Sequence, residues 1–177
     1  MSDNIKLGPC KLTYGTGQDA LVIDKTIGGV TLSITPVLKA IQLDQFGESD
    51  YDDRIVGWKV CVTAPMAETD FDSIKSALTY LQEVSGAAKA KLVDRKLGTS
   101  MRGLAKQLTL HPLENPDADV SDDVTLFLAA PVNQVTLGYG FENERVLRVE
   151  FKAYPKAGAD PGAKENFFCI GDPSAAA

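Results

Sequence analysis

The sequence is poor in the residues that usually carry chemistry: one histidine, one tryptophan and three cysteines among 177 residues. The only imidazole, His111, stands directly before Pro112 at a strand end, and no serine or cysteine has a nucleophile-elbow context. His111 therefore reads as structural, and the chain does not read as an enzyme. Cys10, Cys61 and Cys169 are odd in number, widely spaced and unpaired in CxxC units, so they read as small core residues of a reduced compartment rather than metal ligands. The glycines of "GTG" at 15–17 lack the third glycine and the following helix of a dinucleotide fingerprint, which leaves a hairpin turn. No phosphate-cradling GxxxxGK[ST] pattern occurs, and no cofactor is implied. Eighteen Lys and Arg against 24 Asp and Glu give a net charge of -6, which argues against a protein built to grip phosphate. No apolar run approaches the roughly 20 residues of a spanning helix, and the start "MSDNIKLGPC" is polar. These features predict a soluble protein that is made in the cytoplasm and has no membrane partner.

What is present is period-two alternation, the mark of half-buried antiparallel strands. Cys10, Leu12 and Tyr14 alternate with polar neighbours, as do Val30, Leu32 and Ile34 against Thr31, Ser33 and Thr35. Trp58, Val60 and Val62 follow, then Leu108 and Leu110, Val124, Leu126 and Leu128, and the run Leu147, Val149, Phe151, Ala153; "NFFCIG" reads as a final strand. Trp58 is expected in the core with Val60 and Val62. Prolines 36, 65, 112, 131 and 155 close or interrupt these runs. One segment has helical spacing instead: Phe71, Ile74, Leu78 and Leu81, with Thr69 and Asp72 placed as a capping box and Gly86 as the stop. It predicts a helix of about 15 residues, roughly 22 Å long. The expected fold is mainly β: an antiparallel sandwich or partly closed barrel of seven or eight strands with one flanking helix. Residues 1–171 read as a single domain with an N-terminal arm, and 172–177 as a flexible tail.

Charge is distributed unevenly along the chain. The stretch "DQFGESDYDDRIVGW" at 44–58 holds Asp44, Glu48, Asp50, Asp52 and Asp53, and the segment 41–55 reads as a loop that is long for a compact domain. A calcium loop would use such oxygens, but the D-x-[DN]-x-[DN]-G spacing and the closing glutamate are missing. A plain solvated loop is the bland alternative. A second acidic cluster comprises Glu114, Asp117, Asp119, Asp122 and Asp123. Between the two lies a basic stretch with Lys89, Lys91, Arg95, Lys96, Arg102 and Lys106 against one Asp. Separate acidic and basic patches allow head-to-tail pairing of copies, which builds rings or open helical assemblies. Arg54 and Arg145 each begin a predicted strand beside acid, "DDRI" and "NERV", and at least one is expected to pair with a carboxylate of its own or a neighbouring chain.

The ordered set "LTYG", "DKTIGGVTLSITP", "LDQFGESDYDDRIVGWKVCVTAPMAETDFDSIK", "HPL" and "ERVLRVEFKAYP" resembles the tail tube (major tail) proteins of long, non-contractile-tailed bacteriophages. The likeness spans roughly residues 7–171; "LVIDKTIGG" departs from the expected "DLGKT" form, and 87–106 matches no part of the pattern. The resemblance implies an orthogonal β-sandwich shared with contractile-tail and type VI secretion tubes. Six copies of such a protein form a ring, the inner strands join into a barrel, and rings stack into a hollow tube for genome delivery. It further implies that the segment matching 41–55, with Gln45, Phe46, Tyr51 and Arg54 among its acids, reaches a neighbouring subunit or ring, as do terminal arms, and that the lumen is acidic. Implied partners are further copies of the chain, a tape measure protein, and tail terminator and distal tail proteins, with double-stranded DNA as non-binding cargo. The implied location is the virion tail, assembled in the bacterial host cytoplasm. Two other readings stand beside it: a tube subunit of a tail-derived bacteriocin or secretion system, and a β-sandwich module that binds carbohydrate or calcium.

Overall fold

The computed structural model describes residues 8–137 and 145–175. The N-terminal arm up to residue 7, Glu144 beside Arg145, and the last two residues of the tail lie outside them.

Seven of the strands coincide with the alternating segments: β1 (Cys10–Tyr14), β3 (Thr31–Gln42), β4 (Asp50–Met66), β7 (Lys106–Pro112), β8 (Val124–Pro131), β9 (Leu147–Tyr154) and β10 (Phe168–Ile170). With the short β2 (Leu21–Ile23) they form one antiparallel sheet in the order β2-β1-β7-β8-β9-β4-β3, while β10 pairs with the first half of β8. Among the described residues, the strands at both ends of this order keep an open edge. Pro36 lies in the edge strand β3, where its missing N–H costs least.

The sheet folds back on itself. In a flat sheet β1 and β9 would stand three strand spacings apart, about 14 Å. Instead the rings of Tyr14 on β1 and Phe151 on β9 meet with centroids 4.7 Å apart. Tyr14 also donates its hydroxyl to the Ala129 carbonyl on β8 at 3.1 Å. The core lies in this fold, as in a sandwich: Leu12, Tyr14, Leu108, Leu110 and Leu126 from one layer face Val60, Val62, Ala64, Leu147, Val149 and Phe151 from the other. Alternation holds on β9, whose burial switches at every residue from Leu147 to Ala153. On β8 it slips, because Leu128 is half-buried while Ala129, Ala130 and Pro131 are all buried.

The helix is shorter than its sequence pattern predicts. Helix α1 covers only Phe71–Ala77, with Asp70 rather than Thr69 as N-cap. Leu78 leaves helical geometry (φ -103°, ψ 73°), and the following residues enter the β5 (Leu81–Ser85) and β6 (Ala90–Asp94) hairpin, closed by Gly86 N–H donating to the Lys89 carbonyl. The spacing Phe71, Ile74, Leu78, Leu81 serves both structures: Ala77 and Leu78 are buried in the core, and Leu81 packs against it from the hairpin. A seven-residue helix is too short to stand by propensity alone, so tertiary burial decides where it ends. The Lys75–Glu83 ion pair at 2.5 Å joins helix to hairpin.

Segment 41–55 is not the long loop that its charge suggests. Ile41 and Gln42 end β3 and residues 50–55 begin β4, so only 43–49 turn, through a 3-10 turn at Asp44–Phe46 and Gly47 at φ 64°. Repeated acids hide the strand, but Tyr51, Ile55 and Val56 are strand-forming types, and both faces there are wet.

Candidate functional site

Strand β4 pairs with β9 only over Cys61–Met66, whereas its pairing with β3 continues from Thr63 to Asp50. The result is a two-stranded ribbon that leaves the body of the sheet. Residues 50 to 58 advance about 26 Å at roughly 3.3 Å per residue. Two strands in water are marginal without a third strand or a covering layer.

One face of the ribbon continues the core face. On β3, Leu32 and Ile34 pack against the core, and the same parity carries on to Pro36, Leu38 and Ala40. Opposite Val37 and Leu38 the register shifts, so that Val37 faces Gly57 and Leu38 faces Ile55, with Val56 as the extra residue of a bulge. Beyond it the face carries Leu38 with Ile55, Ala40 with Asp53, and then Tyr51. Leu38, Ile55 and Tyr51 are 51%, 57% and 60% exposed. Tyr51 stacks on Phe46 of the turn at 5.5 Å. This is a core pattern prolonged past the core, left more than half exposed by the described residues.

The acids fringe the stripe. Gln42 donates its amide N–H to Asp50 Oδ1 at 2.9 Å and to the Glu48 carbonyl, which fixes the turn. Arg54 lies inside β4 instead of opening it, directly across from Lys39, a like-charge pairing that disfavours the isolated ribbon. Its Nε stands 3.8 Å from Asp52 Oδ2, with both side chains mostly exposed, a pair worth under about 1 kcal/mol. Arg145 lies on the surface just before β9.

Trp58 departs from the expected core position. It shares the parity of Val60 and Val62 but lies past the end of β9, and is 37% exposed, in a T-shaped contact with the Phe168 ring at 5.8 Å. With Ile55, Val56, Pro161 and Phe167 it lines a cleft of about 430 Å³ at the ribbon base.

The second acidic cluster is divided by the fold. Asp123 is buried and sits 2.6 Å from His111 Nδ1, itself buried, so it is a core partner and neither a lumen nor an interface charge. Asp122 accepts from Asn115 Nδ2 at 2.9 Å, and Asp119 accepts from the Ser121 backbone N–H. Asp117 is exposed and bridges to Lys11 at 2.6 Å, and this hydrogen bond holds its carboxyl below the ordinary range. Glu114 is exposed. The residue types gave His111 a structural role, but the partner 12 residues away was not visible, because the connection between β7 and β8 had to fold first.

The basic stretch is likewise partly engaged. Arg95 Nε donates to the Thr79 carbonyl at 3.0 Å, Arg102 donates to the Pro155 and Lys156 carbonyls, and the Lys106 ammonium lies 5.7 Å from the Tyr14 ring centroid. Lys89, Lys91 and Lys96 are exposed. The cysteines are half-buried rather than core residues, and burial pushes all three thiols up, towards the protonated form.

The polar face of β3 is exposed at Thr31, Ser33 and Thr35. Across β4 and β9 it continues through Lys59, Thr63, Lys152, Glu150 and Arg148, three cations against one acid. Among the described residues no group of three or more His, Cys, Asp or Glu could hold a metal ion. Nor is any helix among them long and apolar enough to cross a membrane. Protein-family models give no match to the chain, and curated proteins give none.

Proposed function

We propose that the chain is a structural subunit that associates with copies of itself, and that its assembled form is a hollow tube of the phage-tail type. The single observation that carries this is the ribbon, a core face extended about 26 Å past its own core with Leu38, Ile55 and Tyr51 each more than half exposed. An apolar face of this kind on a marginal two-stranded element is stabilised when a neighbour covers it, and its open edges offer further backbone pairing. The ordered sequence motifs that resemble tail tube proteins supply the tube geometry, six copies per ring, and the other tail proteins as partners. The work is then mechanical: enclosing a channel without binding what passes. Each inward cation is repeated around a ring and holds phosphate by counterion release, so the Lys59, Arg148 and Lys152 face is not the lumen lining in this reading. The remaining exposed acids are the candidates for a DNA-repelling surface.

Sedimentation over a wide concentration and salt range tests the proposal. Reversible growth into large particles is expected; a strictly monomeric chain at millimolar concentration would refute it. The carbohydrate-binding alternative has one favourable observation, the partly exposed Trp58 beside the cleft, but that ring is already engaged in a T-shaped contact with Phe168.

A further inference from the structure

We propose that the ribbon tip docks on the turn around Leu97 of a second copy of the chain. This rests on the self-association reading and names the surface that receives the ribbon. Leu97 is 98% exposed, against 64% or less for every other exposed large hydrophobic among the described residues. The local sequence fixes it outward. The Thr99 backbone N–H donates to the Lys96 carbonyl at 3.3 Å, the Thr99 hydroxyl donates to the same oxygen at 2.7 Å, and Gly98 takes φ 85°. A left-handed residue at the third position is what a type II turn requires, and it places Leu97 at the second, where the turn itself makes no use of an apolar side chain.

The segment that carries Leu97 is net cationic, with Arg95, Lys96 and Arg102 against Asp94. Lys96 is exposed, and Arg95 and Arg102 are held by peptide carbonyls, which orient the guanidinium groups without neutralising them. The ribbon tip has the opposite character: the Phe46–Tyr51 stack stands among five carboxylates. An acid-fringed aromatic pair and a base-fringed leucine match in apolar content and in sign, the arrangement that steers encounter and fixes register. Within one chain the tip does not cover Leu97, which is 98% exposed. Between copies the contact joins two different surfaces, so it repeats head to tail and does not close on itself as a dimer.

The test mixes a Tyr51→Cys chain with a Leu97→Cys chain under mild oxidation, with linked peptides identified by mass spectrometry. Leu97→Ser is measured alongside by light scattering and thermal unfolding. The expected result is an interchain disulfide joining positions 51 and 97. Leu97→Ser should raise the concentration needed for assembly about tenfold or more, with the melting temperature unchanged. Assembly without the 51–97 linkage, and with Leu97→Ser behaving as wild type, overturns the docking while leaving self-association standing. If neither wild type nor variants assemble and no linkage forms, both fall. Linkage without tubes supports the docking and removes the tube.

Discussion

Replacing Leu38 and Ile55 together by serine isolates the energetic role of the ribbon. The two residues are direct cross-strand partners on the face that continues the core, and each is already about half covered within the chain. Full burial of a Leu or Ile side chain contributes about 1.5–3 kcal/mol, so a neighbour that covers the remaining half gains about 1 kcal/mol from each. Losing about 2 kcal/mol per contact weakens association roughly 30-fold. In the separated chain the half already covered contributes at most a comparable amount, about 2 kcal/mol for the pair, and the melting temperature should fall by no more than about 8 °C. Light scattering on a dilution series gives the first quantity and thermal unfolding of the dilute protein the second. Assembly at the wild-type concentration would refute the claim that this face is an interface. A large loss of melting temperature would show instead that the face already belongs to the fold.

Other perturbations probe the body. Phe151→Ala removes the ring that meets Tyr14 where the sheet folds over, and should cost about 3–5 kcal/mol in urea unfolding. His111→Ala leaves Asp123 buried without its partner at 2.6 Å; the expected loss is about 3 kcal/mol, and a loss under about 1 kcal/mol would mean that water reaches the carboxylate. The Asp117 carboxyl is depressed by Lys11, so its stabilising contribution is present above the unfolded carboxyl value and is lost as pH falls through the folded one. Lys11→Met should therefore flatten part of the stability profile below about pH 4; an identical acid limb in both proteins would contradict the pairing.

The main architecture was legible because alternation is strict on β9 and holds on β1 and on β4 from Val60 to Ala64, and the antiparallel mainly-β fold follows from it. The helix end was not, since Leu78 and Leu81 satisfy helical spacing and hairpin placement equally, and only contact with the core chooses between them. Trp58 was misplaced because parity says which face a residue takes and not where the neighbouring strand stops. The same gap hid the candidate site. Five acids in ten residues read as a loop, whereas Leu38, Ile55 and Tyr51 become a stripe only once the register and its bulge are known. Asp123 illustrates the reverse: a residue counted among surface charges is drawn inside by one histidine that packing brings next to it.

Negative-stain electron microscopy of the concentrated wild-type protein shows directly whether copies form a tube. Hollow cylinders of uniform diameter with sixfold end views are expected, and they should be lost in the Leu38→Ser, Ile55→Ser double variant. Single particles of monomer size across all salt conditions, or solid and irregular aggregates that the double variant still forms, would contradict the proposal.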